Sequence, residues 1–129
     1  MKFVHIGIVV RDIKTYLKNN VISNCSEIIY DEIQDADICF VENKTAKVGI
    51  ELIQPKSNNS TVYNFLQKTD GGLHHLCYSV RNVDEAQEII ADKNMIPVYG
   101  PVKAIALKNH MVLFAYSRNK ELIEFEVVG

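Results

Sequence analysis

Four segments of the chain alternate between apolar and polar or small residues, with the period of two that is typical of a β-strand with two unlike faces. These segments are Lys2–Val10, Lys47–Gln54, Leu73–Val80 and Glu121–Val128. In each of them, one face consists of branched or aromatic side chains and the opposite face carries a histidine or a glutamate. The residues in these four positions are His5, Glu51, His75 and Glu124.

Apolar residues at helical spacing predict three short helices. They cover Asp12–Asn19, Thr61–Lys68 and a segment from Asn82 to Asn94. Asp12 is expected near the N-cap of the first helix, and Asn82 with Glu85 resembles a capping box. Shorter strands are predicted over Glu27–Asp31, Asp37–Val41, Pro97–Tyr99 and Met111–Tyr116, with a turn at residues 42–45.

The predicted elements repeat, because each half of the chain runs strand, helix, strand, strand, strand. His5 and His75 occupy matching positions 70 residues apart, and such self-similarity indicates a duplicated unit. We therefore expect an α+β fold in which two paired βαβββ modules form a cup-shaped, partly open barrel, with a helix on the apolar face of each sheet. Within this single domain of residues 1–129, module one spans about 1–55, a linker and short helix about 56–70, and module two about 71–129.

The composition fits one globular domain and excludes several kinds of partner. The chain has 129 residues, is 47% hydrophobic and carries a net charge of −2, so it has no basic surface for nucleic acid or an anionic membrane. The apolar run Phe3–Val10 is too short to span a membrane and has no cleavage site after it, so we take the mature chain to start at Met1. The three cysteines lack CxxC spacing and are expected to be reduced thiols of a cytoplasmic protein.

Two imidazoles and two carboxylates form a ligand set that suits Zn²⁺, Co²⁺, Ni²⁺, Fe²⁺ or Mn²⁺. A lone strand histidine is ordinarily a core or surface residue, so it is the set of four on matching strands that indicates a shared metal site. A metal that polarises a carbonyl acidifies the neighbouring C–H, and a carboxylate such as Glu124 could remove that proton. Strand alternation places His74 opposite His75, so His74 is assigned to packing or a backbone hydrogen bond, and His110 to a loop edge.

The chain resembles the vicinal oxygen chelate superfamily of glyoxalases, bleomycin resistance proteins and dioxygenases, and within it the methylmalonyl-CoA epimerase branch, which is close to glyoxalase I-type proteins. The resemblance extends over nearly the whole chain, and the run from Phe65 to Cys77 is its most specific part. It rests on His5–Val10, Glu51–Pro55, Phe65–Cys77 and Leu122–Glu126.

The resemblance implies that the metal ligands are His5, Glu51, His75 and Glu124, the same set that strand alternation indicates. It implies epimerisation of methylmalonyl-CoA by a 1,1-proton transfer through a metal-stabilised enolate, and a homodimer. Inversion needs an acid or base on each face of the carbon, and Glu124 and Asp37 are the candidates. The segment Ala104–His110 lacks the glycines that are usual in the family. Because glycine would let the backbone approach a ligand closely, their absence affects the expected substrate more than the expected metal binding.

Other functions within the same fold remain open at this stage. One is a glyoxalase I (lactoylglutathione lyase)-type isomerase acting on a thiol hemithioacetal, and others are a thiol transferase or a ring-cleaving dioxygenase. A metal-free module that binds a small molecule is the alternative from a different class. The sequence also leaves open the native metal and whether the cup forms within one chain or between two.

Overall fold

The computed structural model describes residues 1–21, 24–41 and 48–129. Its strands are β1 (Lys2–Val9), β2 (Ile29–Asp31), β3 (Ala36–Val41), β4 (Gly49–Pro55), β5 (Gly72–Val80), β6 (Ile96–Ala104), β7 (His110–Tyr116) and β8 (Leu122–Val127). Its helices are α1 (Ile13–Asn19), α2 (Tyr63–Thr69), α3 (Val83–Asp92) and a 3-10 turn at Ile105–Leu107. In the part of the chain that is described, no helix is long and apolar enough to cross a membrane.

All eight strands form one curled, half-barrel sheet in the order β2-β3-β4-β1-β5-β8-β7-β6. β1 is parallel to β4 and β5 is parallel to β8, while β1 and β5 are antiparallel to each other at the centre. Counted outwards from the centre, each half has its first strand, then its fourth, third and second, so both halves repeat one arrangement, as expected for a duplicated unit. This confirms the predicted α+β, cup-shaped fold, in which the two modules join edge to edge through β1 and β5.

The outer face of each half is covered by its own helix, as the apolar pattern predicts. Ile13 of α1 is buried against Leu52 and Val41 in the first half. In the second half, Ile90 of α3 packs in a cluster with Phe125. Burial of each such side chain stabilises the fold by about 1.5–3 kcal/mol.

Both predicted N-caps are present. The Asp12 carboxylate accepts hydrogen bonds from the backbone N–H groups of Lys14, at 2.8 Å, and Thr15, at 3.2 Å. The Asn82 side chain accepts from the Glu85 N–H at 2.8 Å. The Glu85 carboxylate does not complete a capping box, because it pairs with the Arg81 Nε atom at 2.7 Å.

The buried carboxylate of Asp31 links the outer edge of module one to the far end of module two. It accepts hydrogen bonds from the backbone N–H groups of Ile33 and Gln34 and from the Gln34 side chain. A further bond comes from the Ile105 N–H, which belongs to the 3-10 turn after β6. Asp31 thus joins the two modules within one chain.

Some element bounds differ from the prediction. β6 extends over nine residues rather than three, although it contains Pro97 and Pro101, because it is an edge strand whose register shifts around Tyr99 and Val102. The 3-10 turn at Ile105–Leu107 was not predicted. The turn predicted at residues 42–45 lies outside the described residues.

Candidate metal centre

His5, Glu51, His75 and Glu124 meet at the centre of the cup. The His5 Nε2 atom lies 3.2 Å from the His75 Nε2 atom and 3.1 Å from the Glu124 Oε1 atom. The Glu51 Oε1 atom is 3.5 Å from the His5 Nε2 atom and 3.4 Å from that of His75, which is 3.0 Å from the Glu124 Oε1 atom. All four residues are at least 96% buried, and one ligand atom from each lies within 4.8 Å of the others.

The central strands bring these side chains together because β4, β1, β5 and β8 are consecutive neighbours in the sheet. Small residues lie opposite both imidazoles across the β1–β5 pair. Gly7 pairs with His75, and Cys77 pairs with His5. A Cβ atom on Gly7 would overlap the His75 ring, so glycine is needed there for the ring to lie against β1.

The spacing of the four atoms fits a divalent metal. Zinc binds histidine nitrogen and carboxylate oxygen at about 2.0–2.2 Å, so neighbouring ligand atoms in a four- to six-coordinate centre lie about 3.0–3.5 Å apart. The five distances given above run from 3.0 to 3.5 Å. Two imidazole nitrogens and two carboxylate oxygens also match the preference of Zn²⁺, Co²⁺, Ni²⁺, Fe²⁺ and Mn²⁺, and the geometry does not choose among them.

The charges of the cluster compensate one another. Burial by itself lowers the pKa of both imidazoles, but the Glu124 and Glu51 carboxylates outweigh it and raise the pKa to about 10 for His5 and about 9 for His75. Burial likewise raises the pKa of a carboxyl group, yet hydrogen bonds and charges from the two histidines bring the pKa of Glu51 and Glu124 below the ordinary value. Both carboxylates are therefore ionised at neutral pH, as metal ligands must be.

Aromatic rings and an open cleft border the cluster. The Phe40 ring centroid is 5.8 Å from that of His5, and the Phe114 centroid is 5.5 Å from that of His75, both edge-on. A cleft of about 620 Å³ reaches His75, and its lining includes Phe65, Lys68 and His74. A small molecule in this cleft would thus reach the edge of the cluster.

The sequence profile of the Glyoxalase/Bleomycin resistance protein/Dioxygenase superfamily matches residues 4–114, which is most of the chain. The chain belongs to this superfamily. Its match includes His5, Glu51 and His75, while Glu124 lies beyond the matched range.

The relatives of this superfamily member include named epimerases. It is 32% identical over 80 residues to the mitochondrial methylmalonyl-CoA epimerase of Dictyostelium discoideum, covering 60% of this chain and 48% of that protein. It is 28% identical over 119 residues to the human mitochondrial methylmalonyl-CoA epimerase, covering 89% of this chain and 66% of that protein. The chain spans about half to two thirds of the length of these curated relatives.

A solved structure supports the fold. A variant of the Streptomyces coelicolor methylmalonyl-CoA epimerase in complex with 2-nitronate-propionyl-CoA superposes with a TM-score of 0.78 at 19% identity. The match covers 100% of this chain and 98% of that one. At this identity the likeness shows the fold.

His74 differs from its predicted placement. The β1–β5 register runs from the pair Gly7 with His75 to the pair Ile8 with Leu73, so His74 is the extra residue of a β-bulge. Its ring turns towards His75, with the two Nδ1 atoms 2.8 Å apart. Burial and the neighbouring His75 lower the pKa of His74 to about 4, so its imidazole is neutral. The alternation rule fails here because a bulge interrupts it.

Asp37 lies outside the cluster. It is on the helix-covered face of β3, pairing across the sheet with Gln54, whose side chain caps the Ile13 N–H of α1. Its carboxylate forms an ion pair with the Lys56 Nζ atom at 3.1 Å. Phe40, on the opposite face of the same strand, is the residue that contacts His5. The structure therefore does not bring Asp37 together with His5, Glu51, His75 and Glu124.

A second layer of polar residues lies behind the cluster and was not predicted. Cys77 and Glu126 each place a potential ligand atom within 4.8 Å of His5, and both are buried. Burial and the charges of Glu124 and Glu126 raise the pKa of the Cys77 thiol, which stays protonated. His110, predicted at a loop edge, begins β7, and its Nδ1 atom is 2.7 Å from a Glu126 carboxylate oxygen. Only the period-two spacing of Glu124 and Glu126 in the sequence hints at this layer.

Proposed function

We propose that the protein catalyses a metal-dependent 1,1-proton transfer on an acyl-CoA, and that the reaction is the epimerisation of methylmalonyl-CoA. The observation that carries the proposal is the buried cluster of two imidazoles and two carboxylates at the centre of the cup. Its support also includes the relatives named methylmalonyl-CoA epimerase and a structural neighbour that holds a propionyl-CoA derivative.

In this proposal His5, Glu51, His75 and Glu124 hold the divalent ion. The bound ion supplies Lewis acidity, which makes the proton next to a thioester carbonyl more acidic. The phenylalanines beside the two imidazoles exclude water on their side of the cluster, where electrostatic interactions are stronger than in bulk solvent.

The proton transfer itself is assigned to the two carboxylates. A carboxylate has two oxygen atoms, so one can ligate an ion while the other accepts or returns a proton. Glu51 comes from β4 and Glu124 from β8, which flank the central β1–β5 pair on opposite sides. One carboxylate takes the proton from one face of the α-carbon, and the other delivers a proton to the opposite face. Glu51 thus takes the part that the sequence assigned to Asp37.

The experiment follows the α-proton of methylmalonyl-CoA by NMR in D2O. We expect enzyme-dependent loss of the signal with cobalt-loaded protein and none with EDTA-stripped protein. Glu124→Gln at confirmed metal content is expected to slow the exchange at least about 100-fold, the range for loss of a general acid or base. Asp37→Asn is the matched control and is expected to exchange at the wild-type rate, because Asp37 is paired with Lys56 on the other face of the sheet.

Two outcomes would contradict the proposal. If metal-loaded wild type leaves the α-proton in place, methylmalonyl-CoA is not the substrate, and turnover of a thiol hemithioacetal would identify a glyoxalase-type isomerase instead. If Asp37→Asn abolishes inversion while Glu51→Gln does not, the assignment of the second carboxylate to Glu51 is wrong.

A further inference from the structure

The outer nitrogen of the His75 ring lies next to a second histidine. His75 directs its Nε2 atom to the cluster, where Glu124 is 3.0 Å away. Its Nδ1 atom lies 2.8 Å from the Nδ1 atom of His74. When an imidazole ligates a metal through Nε2, its Nδ1 carries the hydrogen, so His75 is the donor and His74 the acceptor in this bond.

The bulge that places His74 does not itself require a histidine. The β1–β5 pair contains a second register shift, in which the step from Phe3 to His5 on β1 matches a single step on β5. The extra residue there is Val4, which precedes His5 as His74 precedes His75. Because valine fills the equivalent bulge, the histidine at position 74 calls for an explanation beyond backbone geometry.

We propose that His74 is a positioning residue for the metal centre, which accepts the His75 Nδ1–H and thereby fixes the ring and tautomer that present Nε2 to the ion. The inference rests on the proposed function, because it takes the cluster to be a metal centre. The His74 ring lies edge-on to the Phe65 ring, with a centroid separation of 4.8 Å, and both residues line the cleft. Partners of this kind typically contribute 10–100-fold to metal affinity.

Three variants separate the hydrogen bond from packing. His74→Asn can keep an acceptor near the position of Nδ1, whereas His74→Leu keeps apolar contact with Phe65 and has no acceptor. Phe65→Leu is the packing control, because it loosens the His74 ring and leaves its nitrogen. Zinc affinity is measured by competition with a chromophoric chelator, and ¹H–¹⁵N spectra of the zinc-loaded protein report the His75 tautomer and the exchange of its Nδ1 proton.

We expect His74→Leu to weaken zinc binding about 10–100-fold and to speed exchange of the His75 Nδ1 proton with water. His74→Asn keeps an acceptor, so its zinc affinity is expected to stay within about threefold of wild type, well short of the 10–100-fold cost of losing the partner. The inference is overturned if His74→Leu binds zinc as wild type does, or if Phe65→Leu loses as much affinity as His74→Leu.

These results are independent of turnover. A wild-type protein that binds zinc but exchanges no α-proton would refute the proposed reaction and leave the role of His74 intact. Unchanged zinc affinity in His74→Leu would refute the role of His74 whatever the reaction is. A wild-type protein that binds no divalent ion would refute both.

Discussion

Gly7 leaves the space in which the His75 ring lies, and this single position therefore controls one side of the cluster. We predict that Gly7→Ala displaces the imidazole and weakens binding of zinc or cobalt by at least tenfold. Because the ring is buried and cannot move into solvent, the added methyl group is also expected to lower the free energy of unfolding by about 1–3 kcal/mol, as overpacking does. Chelator competition and urea unfolding measure the two effects.

Gly49 provides the matched control on the other side of β1. It pairs with His5 in the β1–β4 register, but an added Cβ atom would have no heavy atom of the described residues within 4 Å. Gly49→Ala is therefore expected to keep metal affinity and stability close to those of wild type. Equal loss in both variants would mean that the space beside His75 is not the reason for the effect.

Strand alternation was sufficient to single out His5, Glu51, His75 and Glu124, because the four meet on the inner face and the β1–β5 register is regular between the two bulges. It failed at His74, where the bulge adds a residue that the sequence does not mark. It was also insufficient for Asp37. Alternation places Asp37 on one face of β3, but only the neighbouring strands decide which face is the inner one.

Among the elements, the short edge strand β2 depends on Asp31 for its attachment to module two. We predict that Asp31→Ala lowers the free energy of unfolding by about 1–3 kcal/mol, because it leaves buried donors without an acceptor, among them the Ile105 N–H. Unfolding in guanidinium chloride measures the loss. The exposed neighbour Glu32 is the control, and a comparable loss in Glu32→Ala would show that the effect is not specific to the buried carboxylate.

Helices were predicted more closely than edge strands for a physical reason. The caps at Asp12 and Asn82 are local, since each side chain bonds to a backbone N–H two or three residues ahead. β6 depends instead on distant pairing with β7, and its two prolines argue locally against a strand. The 3-10 turn after it is placed by Asp31, which lies 74 residues earlier in the chain.

At the scale of the whole molecule, duplication explains why a site can form at the centre of the sheet. Each module supplies one histidine from its first strand and one glutamate from its last, and the antiparallel β1–β5 contact brings the two pairs together. Neither module contains all four residues of the cluster. Metal binding is therefore expected to stabilise the junction between the modules, and a saturating ion at 100 times its dissociation constant would add about 2.7 kcal/mol.

The same site should couple metal binding to pH. In the metal-free protein the pKa is about 10 for His5 and about 9 for His75, so at pH 7 the pair holds protons that a metal must displace. Because the two Nε2 atoms are only 3.2 Å apart, mutual repulsion opposes full protonation of both rings, and we predict release of between about one and two protons per ion at pH 7. Metal affinity is therefore expected to rise as the pH increases from 6 towards 9, and to fall as acid restores the protons on the two imidazoles.

Calorimetry in buffers with different ionisation enthalpies measures this proton release. Glu124→Gln is the informative comparison, because removing one carboxylate charge lowers the pKa of both imidazoles and should reduce the number of protons released at pH 7. Zinc binding without proton release in the wild type would mean that the two imidazoles are already neutral at pH 7. The carboxylates would then not raise the pKa of the imidazoles as the short contacts indicate. A larger number of protons released by Glu124→Gln than by the wild type would also contradict this coupling, since it would require Glu124 to favour the neutral imidazoles.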